Sequence, residues 1–178
     1  MTACCAADQV CLNLGPELSI CADVDPHFCL PDQAIDLKLS GDFSGEVTMF
    51  ADNCAAPANY GTDEASGESL LDINMLLLLP GTSQPGTLRI KAHPISPKAT
   101  AQNVPAEFNI LGDNDLVVQD TEHCKLTLTT AEDVAENDEY YRVGGSVTCS
   151  KPLTTSGMMM KTVSIDTLTF VVPASKAR

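Results

Sequence analysis

The sequence predicts an all-β protein: an antiparallel β-sandwich of immunoglobulin-like or jelly-roll type, with about nine strands and a disulfide-stapled irregular N-terminal arm. Three observations predict it. Apolar residues recur at every second position through most of the chain beyond residue 33. Gly, Pro and Asp clusters break that alternation at short intervals, as turns do. No segment sustains a helical period. A closed barrel is the alternative, because strands of the same period build both.

Residues 1–33 read as the arm. They hold Cys4, Cys5, Cys11, Cys21 and Cys29 with Pro16, Pro26 and Pro31, and show no sustained period. The prolines exclude a long helix there. Residues 34–178 read as the sandwich domain. Ile35, Leu37 and Leu39 alternate with polar residues, and the turn 41–45 leads to Val47, Met49 and Ala51, which makes a hairpin. Residues 53–69, with Cys54, Pro57 and Gly61, read as a surface loop. Leu71, Ile73, Met75, Leu77 and Leu79 define one strand face, Leu88, Ile90 and Ala92 the next, and Ala106, Phe108 and Ile110 a third. A Gly112–Asp115 turn precedes Leu116 to Val118.

The best-determined hairpin follows. Cys124, Leu126 and Leu128 share one parity; beyond an acidic loop at 132–139, Val143, Gly145, Val147 and Cys149 share another. If paired residue numbers sum to 273, Leu126 faces Val147, Leu128 faces Gly145 and Cys124 faces Cys149. One register thus joins both apolar faces and opposes two cysteines, and a one-residue slip would turn every side chain to the wrong face. In the last strand Val163 and Ile165 differ in parity from Leu168, Phe170 and Val172, so a bulge near Asp166-Thr167 is expected.

Eight cysteines without any C-x-x-C pair favour disulfides over zinc or redox sites, and so an extracytoplasmic setting: secreted, periplasmic or cell-surface. Beyond Cys124–Cys149 the spacing leaves the pairing of the other six open. No secretory leader is present, so the chain reads as a mature or trimmed one, or as a cytosolic one. Met1-Thr2-Ala3-Cys4 resembles the end of a bacterial lipoprotein signal, which would make Cys4 an acylated membrane anchor. The most apolar run, 70–79, contains Asp72 and Asn74 and has about half the length a transmembrane helix needs.

Net charge is −14, and residues 1–88 carry thirteen acids against the single base Lys38. Such a surface repels nucleic acid and anionic lipid and suits a cation or a basic partner. With no Trp and 4% aromatic residues, platforms for sugar stacking are scarce.

Catalytic signatures are missing: there is no G-x-S-x-G, H-E-x-x-H, G-x-G-x-x-G or P-loop. His93 falls on the polar side of its strand, His123 on the outward parity beside Cys124, and His27 within the arm. Calcium is the ligand the acids suit best, with Asp113, Asn114, Asp115 and Asp120 as candidates, Glu122 beside them, and Asp23 with Asp25 as a second pair. Met158-Met159-Met160 cannot converge on one copper ion from a strand and reads as packing or a contact patch.

The expected function is a non-catalytic extracytoplasmic binding module that meets a protein or surface partner through loops such as 53–69, 80–86 or 131–139. One alternative is a structural subunit of a surface layer or filament, self-associating through the strand edge at 161–172. A secreted hydrolase is the other.

Overall fold

The computed structural model describes residues 9–13, 19–23, 30–49, 58–63, 65–78, 85–111, 117–135, 137–155 and 160–176. Among these every regular element is a strand. In chain order they are β1 (Gln9–Asn13), β2 (Ser19–Asp23), β3 (Ala34–Gly41), β4 (Gly45–Met49), β5 (Ala58–Thr62) and β6 (Ser69–Leu78). There follow β7 (Pro85–Ala92), β8 (Ala101–Leu111), β9 (Val117–Asp133), β10 (Tyr140–Cys149), β11 (Leu153–Thr154) and β12 (Thr162–Ser175).

The predicted alternation is obeyed. On β6, Leu71, Ile73, Met75 and Leu77 are buried, whereas Asn74 is exposed and Asp72 partly so. Leu88, Ile90 and Ala92 on β7 and Ala106, Phe108 and Ile110 on β8 follow the same rule. These side chains join Ile35, Leu37, Leu126, Leu128, Val143, Phe170 and Val172 in one core cluster. Each such fully buried side chain contributes about 1.5–3 kcal/mol of transfer free energy.

The sandwich expectation is overturned: the body is a closed seven-stranded β-barrel with extra strands. Hydrogen bonding runs β10-β9-β8-β7-β6-β5-β12, and β12 then pairs with β10 to complete the ring. A sandwich would keep two sheets apart, but here one edge of β12 bonds β10 and its other edge meets β5, so a single curved sheet encloses the core. The β5–β12 seam is parallel and short, only Ala58↔Ala174 and Asn59↔Ser175. Below that seam the same edge of β12 carries β3, to which β4 is added.

Several local expectations hold in detail. Cys124↔Cys149, Leu126↔Val147 and Leu128↔Gly145 are the observed partners. The β12 register shifts between Ile165 and Thr167, and the bulged Asp166 accepts a hydrogen bond from Ser40 Oγ at 2.7 Å. The β3–β4 hairpin pairs Ile35 with Met49 and Leu37 with Val47.

Other expectations need correction. The expected loop 53–69 contains β5, without which the ring could not close. Val117–Val118 and Cys124–Leu128 are not separate strands, Leu116 lying outside the described residues: Val117–Asp133 is one long strand that bulges between them. The arm is not wholly irregular, since β1 and β2 form an antiparallel hairpin. The segment 161–172 is not a free edge along its length: β12 pairs with β3 over 163–171 on one side, and on the other with β11 at 162–163 and with β10 from Thr169 onward.

Candidate functional site

Strand direction decides which loops meet. Consecutive strands from β5 to β10 are antiparallel, so the turns after β5, β7 and β9 gather at one end of the barrel. Because β12 runs parallel to β5 and antiparallel to β3, its C-terminal end and the start of β3 join the same rim. Of the three loops expected to carry recognition, 53–69 and 131–139 contribute their described turn residues (63, 65–68, 134, 135 and 137–139) to this end, together with the β7–β8 turn at 93–100. Of the third expected loop, 80–86, residues 80–84 lie outside the described residues, and Pro85 and Gly86 begin β7.

Ion pairs and capping bonds brace this rim. Asp63, buried at the end of β5, takes the ammonium of Lys91 on Oδ2. Its Oδ1 accepts from the backbone N–H of Ala65 at 3.1 Å, that of Ser66 at 2.9 Å, and Ser66 Oγ at 3.0 Å. The turn is thereby folded around one carboxylate, whose pKa those donors, Lys91 first, hold well below the ordinary carboxylate range. Beside it His93 Nδ1 lies 3.2 Å from Glu68, and Ile95 N–H donates to Ser69 O at 2.8 Å, tying the β7–β8 turn to β6.

Across the rim, Asp133 receives Lys98 at 2.5 Å and Lys176 at 3.1 Å. The two ammonium groups also lie 5.8 and 4.6 Å from the Tyr141 ring centre, within reach of its electron-rich π system. Hydrogen bonds from Lys98 and then Lys176 lower the Asp133 pKa. Tyr60 meets Tyr141 edge-to-face, with ring centres 5.5 Å apart. Burial, with a smaller contribution from Tyr141, pushes the Tyr60 hydroxyl up to about 12, and its Oη has no hydrogen-bond partner among the described residues. Arg142 pairs with Asp32 and, at 3.2 Å, with Glu132, joining the entry to β3 to the β9–β10 hairpin.

Spacing along the chain did not reveal Asp63, Lys98, Tyr141, Arg142 or Lys176. Pairing of neighbouring strands brings Asp63 to Lys91 and Arg142 to Glu132, while Lys176 and Asp32 reach Asp133 and Arg142 only once β12 and β3 are in place.

The expected site residues are placed as follows. Cys124 and Cys149 are joined, with S–S at 2.01 Å. Cys11 and Cys21 fall on β1 and β2, while Cys4, Cys5, Cys29 and Cys54 lie outside the described residues, as do His27, Asp25, Asp113, Asn114 and Asp115. Asp23 closes β2.

Asp120 is described, and its oxygens face donors. Oδ1 accepts the backbone N–H groups of Glu122, His123 and Cys124 at 3.1, 2.6 and 3.1 Å, and Oδ2 lies 2.8 Å from His123 Nδ1. Burial raises the Asp120 pKa, but the bonds from the His123 ring and from the His123 and Glu122 N–H groups outweigh it, and the net shift is downward. The carboxylate thus caps the β9 bulge, and a cation would have to displace those donors. Among the described residues no group of three or more His, Cys, Asp or Glu side chains gathers around a common point.

A separate groove of about 200 Å³ runs along the β3–β4 hairpin, lined by Asp36, Leu37, Lys38, Glu46, Val47 and Thr167. Comparison with known protein families, with curated proteins and with solved structures finds no match.

Proposed function

We propose that the protein is a non-catalytic, extracytoplasmic binding module that recognises a protein or surface partner through the loops of the barrel rim. One observation carries the reading: three turns and two strand ends share one rim, cross-braced by Asp63–Lys91, Asp133–Lys98, Asp133–Lys176 and Arg142–Asp32. Braced loops lose little freedom on binding, and a rigid scaffold that presents them is how recognition surfaces are commonly built. The barrel interior is occupied by Phe108, Ile90, Leu126 and their neighbours, so recognition falls to the outside. Against Lys91, Lys98, Lys176 and Arg142, the acids Asp32, Asp63, Glu68, Glu132, Asp133, Asp138 and Glu139 leave the rim net acidic, which favours a basic partner. The Cys124–Cys149 disulfide supports maturation where thiols oxidise.

The test is a photo-crosslinking residue placed at Asp138 on the rim and, separately, at Thr148 on the barrel wall, in material from the native source. One partner captured from Asp138 and not from Thr148 supports the reading. Equal capture from both, or turnover of a hydrolase substrate panel by the pure protein, overturns it.

The structural-subunit reading keeps one specific observation. Among the described residues β4 ends the strand order, so edge pairing between copies would use β4 and not β12. Sedimentation of the wild type against Val47→Pro tests it: concentration-dependent assembly lost in the variant supports this reading, and a monomer at all concentrations removes it.

A further inference from the structure

Hairpin β1–β2 forms a two-stranded sheet of its own. Its ladder is unbroken from Gln9↔Asp23 to Asn13↔Ser19. A lone ribbon of this length is marginally stable in water and needs a brace. The central rung of the ladder is Cys11↔Cys21. Directly opposed residues on antiparallel strands have Cβ atoms about 4.5–5.5 Å apart, close to the spacing a disulfide spans. Cys124 and Cys149 stand in the same relation on β9 and β10, and they are bonded.

We propose that Cys11 and Cys21 form a second cross-strand disulfide, which staples the N-terminal hairpin as the first staples β9 to β10. The proposal rests on the reading that the chain matures where thiols oxidise. Formation follows thiol–disulfide exchange with a disulfide-bearing oxidant. One cysteine thiolate attacks a sulfur of the oxidant and releases its first thiol; the second cysteine thiolate then displaces the other. One S–S bond forms in the protein and one breaks in the oxidant. Two electrons and two protons leave Cys11 and Cys21 and end on the two thiols of the reduced oxidant.

The sequence permits a direct test, because Asp8, Glu17, Asp23 and Asp25 are protease sites that separate Cys11 from Cys4 and Cys5, and Cys21 from Cys29. Protein from the native source is alkylated, then cut without reduction before Asp and after Glu. The expected species is peptide 8–17 joined to peptide 18–22, lost on reduction. As a second readout, Cys11→Ser should expose one additional alkylatable thiol, and Cys11→Ser with Cys21→Ser none. If Cys124–Cys149 is intact but Cys11 or Cys21 is free or bonded elsewhere, the pairing is overturned while the oxidising-compartment reading stands. Eight alkylated thiols would overturn both.

Discussion

Asp63 at the end of β5 and Lys91 on β7 form an ion pair across the intervening strand β6, and the same carboxylate folds its own turn through Ala65 and Ser66. A single side chain thereby links barrel wall to rim.

That linkage predicts acid sensitivity. The Asp63, Asp133 and Asp32 carboxyls all titrate lower in the fold than in the unfolded chain, held by Lys91, by Lys98 and Lys176, and by Arg142 respectively. Their contribution is complete above the unfolded carboxyl pKa and disappears as pH falls through the folded values. Thermal unfolding followed from about pH 5 to pH 2 should show a steadily falling Tm. Asp63→Asn should lower Tm at neutral pH and flatten that slope; an unchanged slope would count against the assignment.

Removing the β9–β10 staple should be costly. The disulfide spans 25 positions of sequence, and a loop of that size corresponds to about 3 kcal/mol of stabilisation. Cys124→Ala with Cys149→Ala should therefore lower Tm by roughly 6–12 °C in a chain of this size, read by calorimetry against the wild type under non-reducing conditions.

Gly145 and Gly61 should respond differently to the same change. A Cβ at Gly145 would stand 2.2 Å from the Thr127 carbonyl oxygen, beside the register shift between Gly144 and Gly145, whereas one at Gly61 meets only Leu70 Cγ at 4.0 Å. Gly145→Ala forces backbone to move, at about 1–3 kcal/mol or more, while Gly61→Ala should be near neutral. Denaturant midpoints of the two variants, compared side by side, decide it.

Tyr60 should be better off without its hydroxyl. Its Oη is buried and has no hydrogen-bond partner among the described residues, a desolvation cost of about 1–3 kcal/mol where nothing compensates. Tyr60→Phe should match or exceed the wild type in stability. In the wild type the raised folded pKa means stability holds below about pH 10 and declines as pH climbs toward about 12, so that alkaline decline should shrink in the variant.

What was legible in the chain followed from locality. The Cys124–Cys149 register could be read because two alternating runs flank one short loop, so parity and number together admit one solution. The Asp166 bulge could be read because Ile165 and Leu168 break parity within a single strand. Closure could not be read this way. A strand in a barrel and a strand in a sandwich alternate alike, and the difference lies in Ala58↔Ala174 and Gly145↔Phe170, contacts that no periodicity marks. β5 was hidden because Ala58, Tyr60 and their neighbours are few and include Gly61. The continuity of β9 was hidden because Asp120 to His123 are all polar and interrupt the apolar alternation; in the fold Asp120 binds the backbone of Glu122 and His123 and shapes the bulge. The rim cluster had little local signature, since Asp133 and Tyr141 meet across one hairpin but Lys98 and Lys176 reach them from β8 and β12, and Lys176 only once the ring is shut.

The position of β12 has a consequence for biogenesis. β12 supplies the partner of β3, of β5 and of β10, so a nascent polypeptide not yet extended through β12 lacks the piece that shuts the cylinder. Such long-distance pairing makes folding slow and leaves the unfinished wall sticky until β12 is synthesised. A chain halted before Thr162 should therefore be protease-sensitive throughout its length rather than only at the break, and in the cell it would depend on a holdase until β12 arrives.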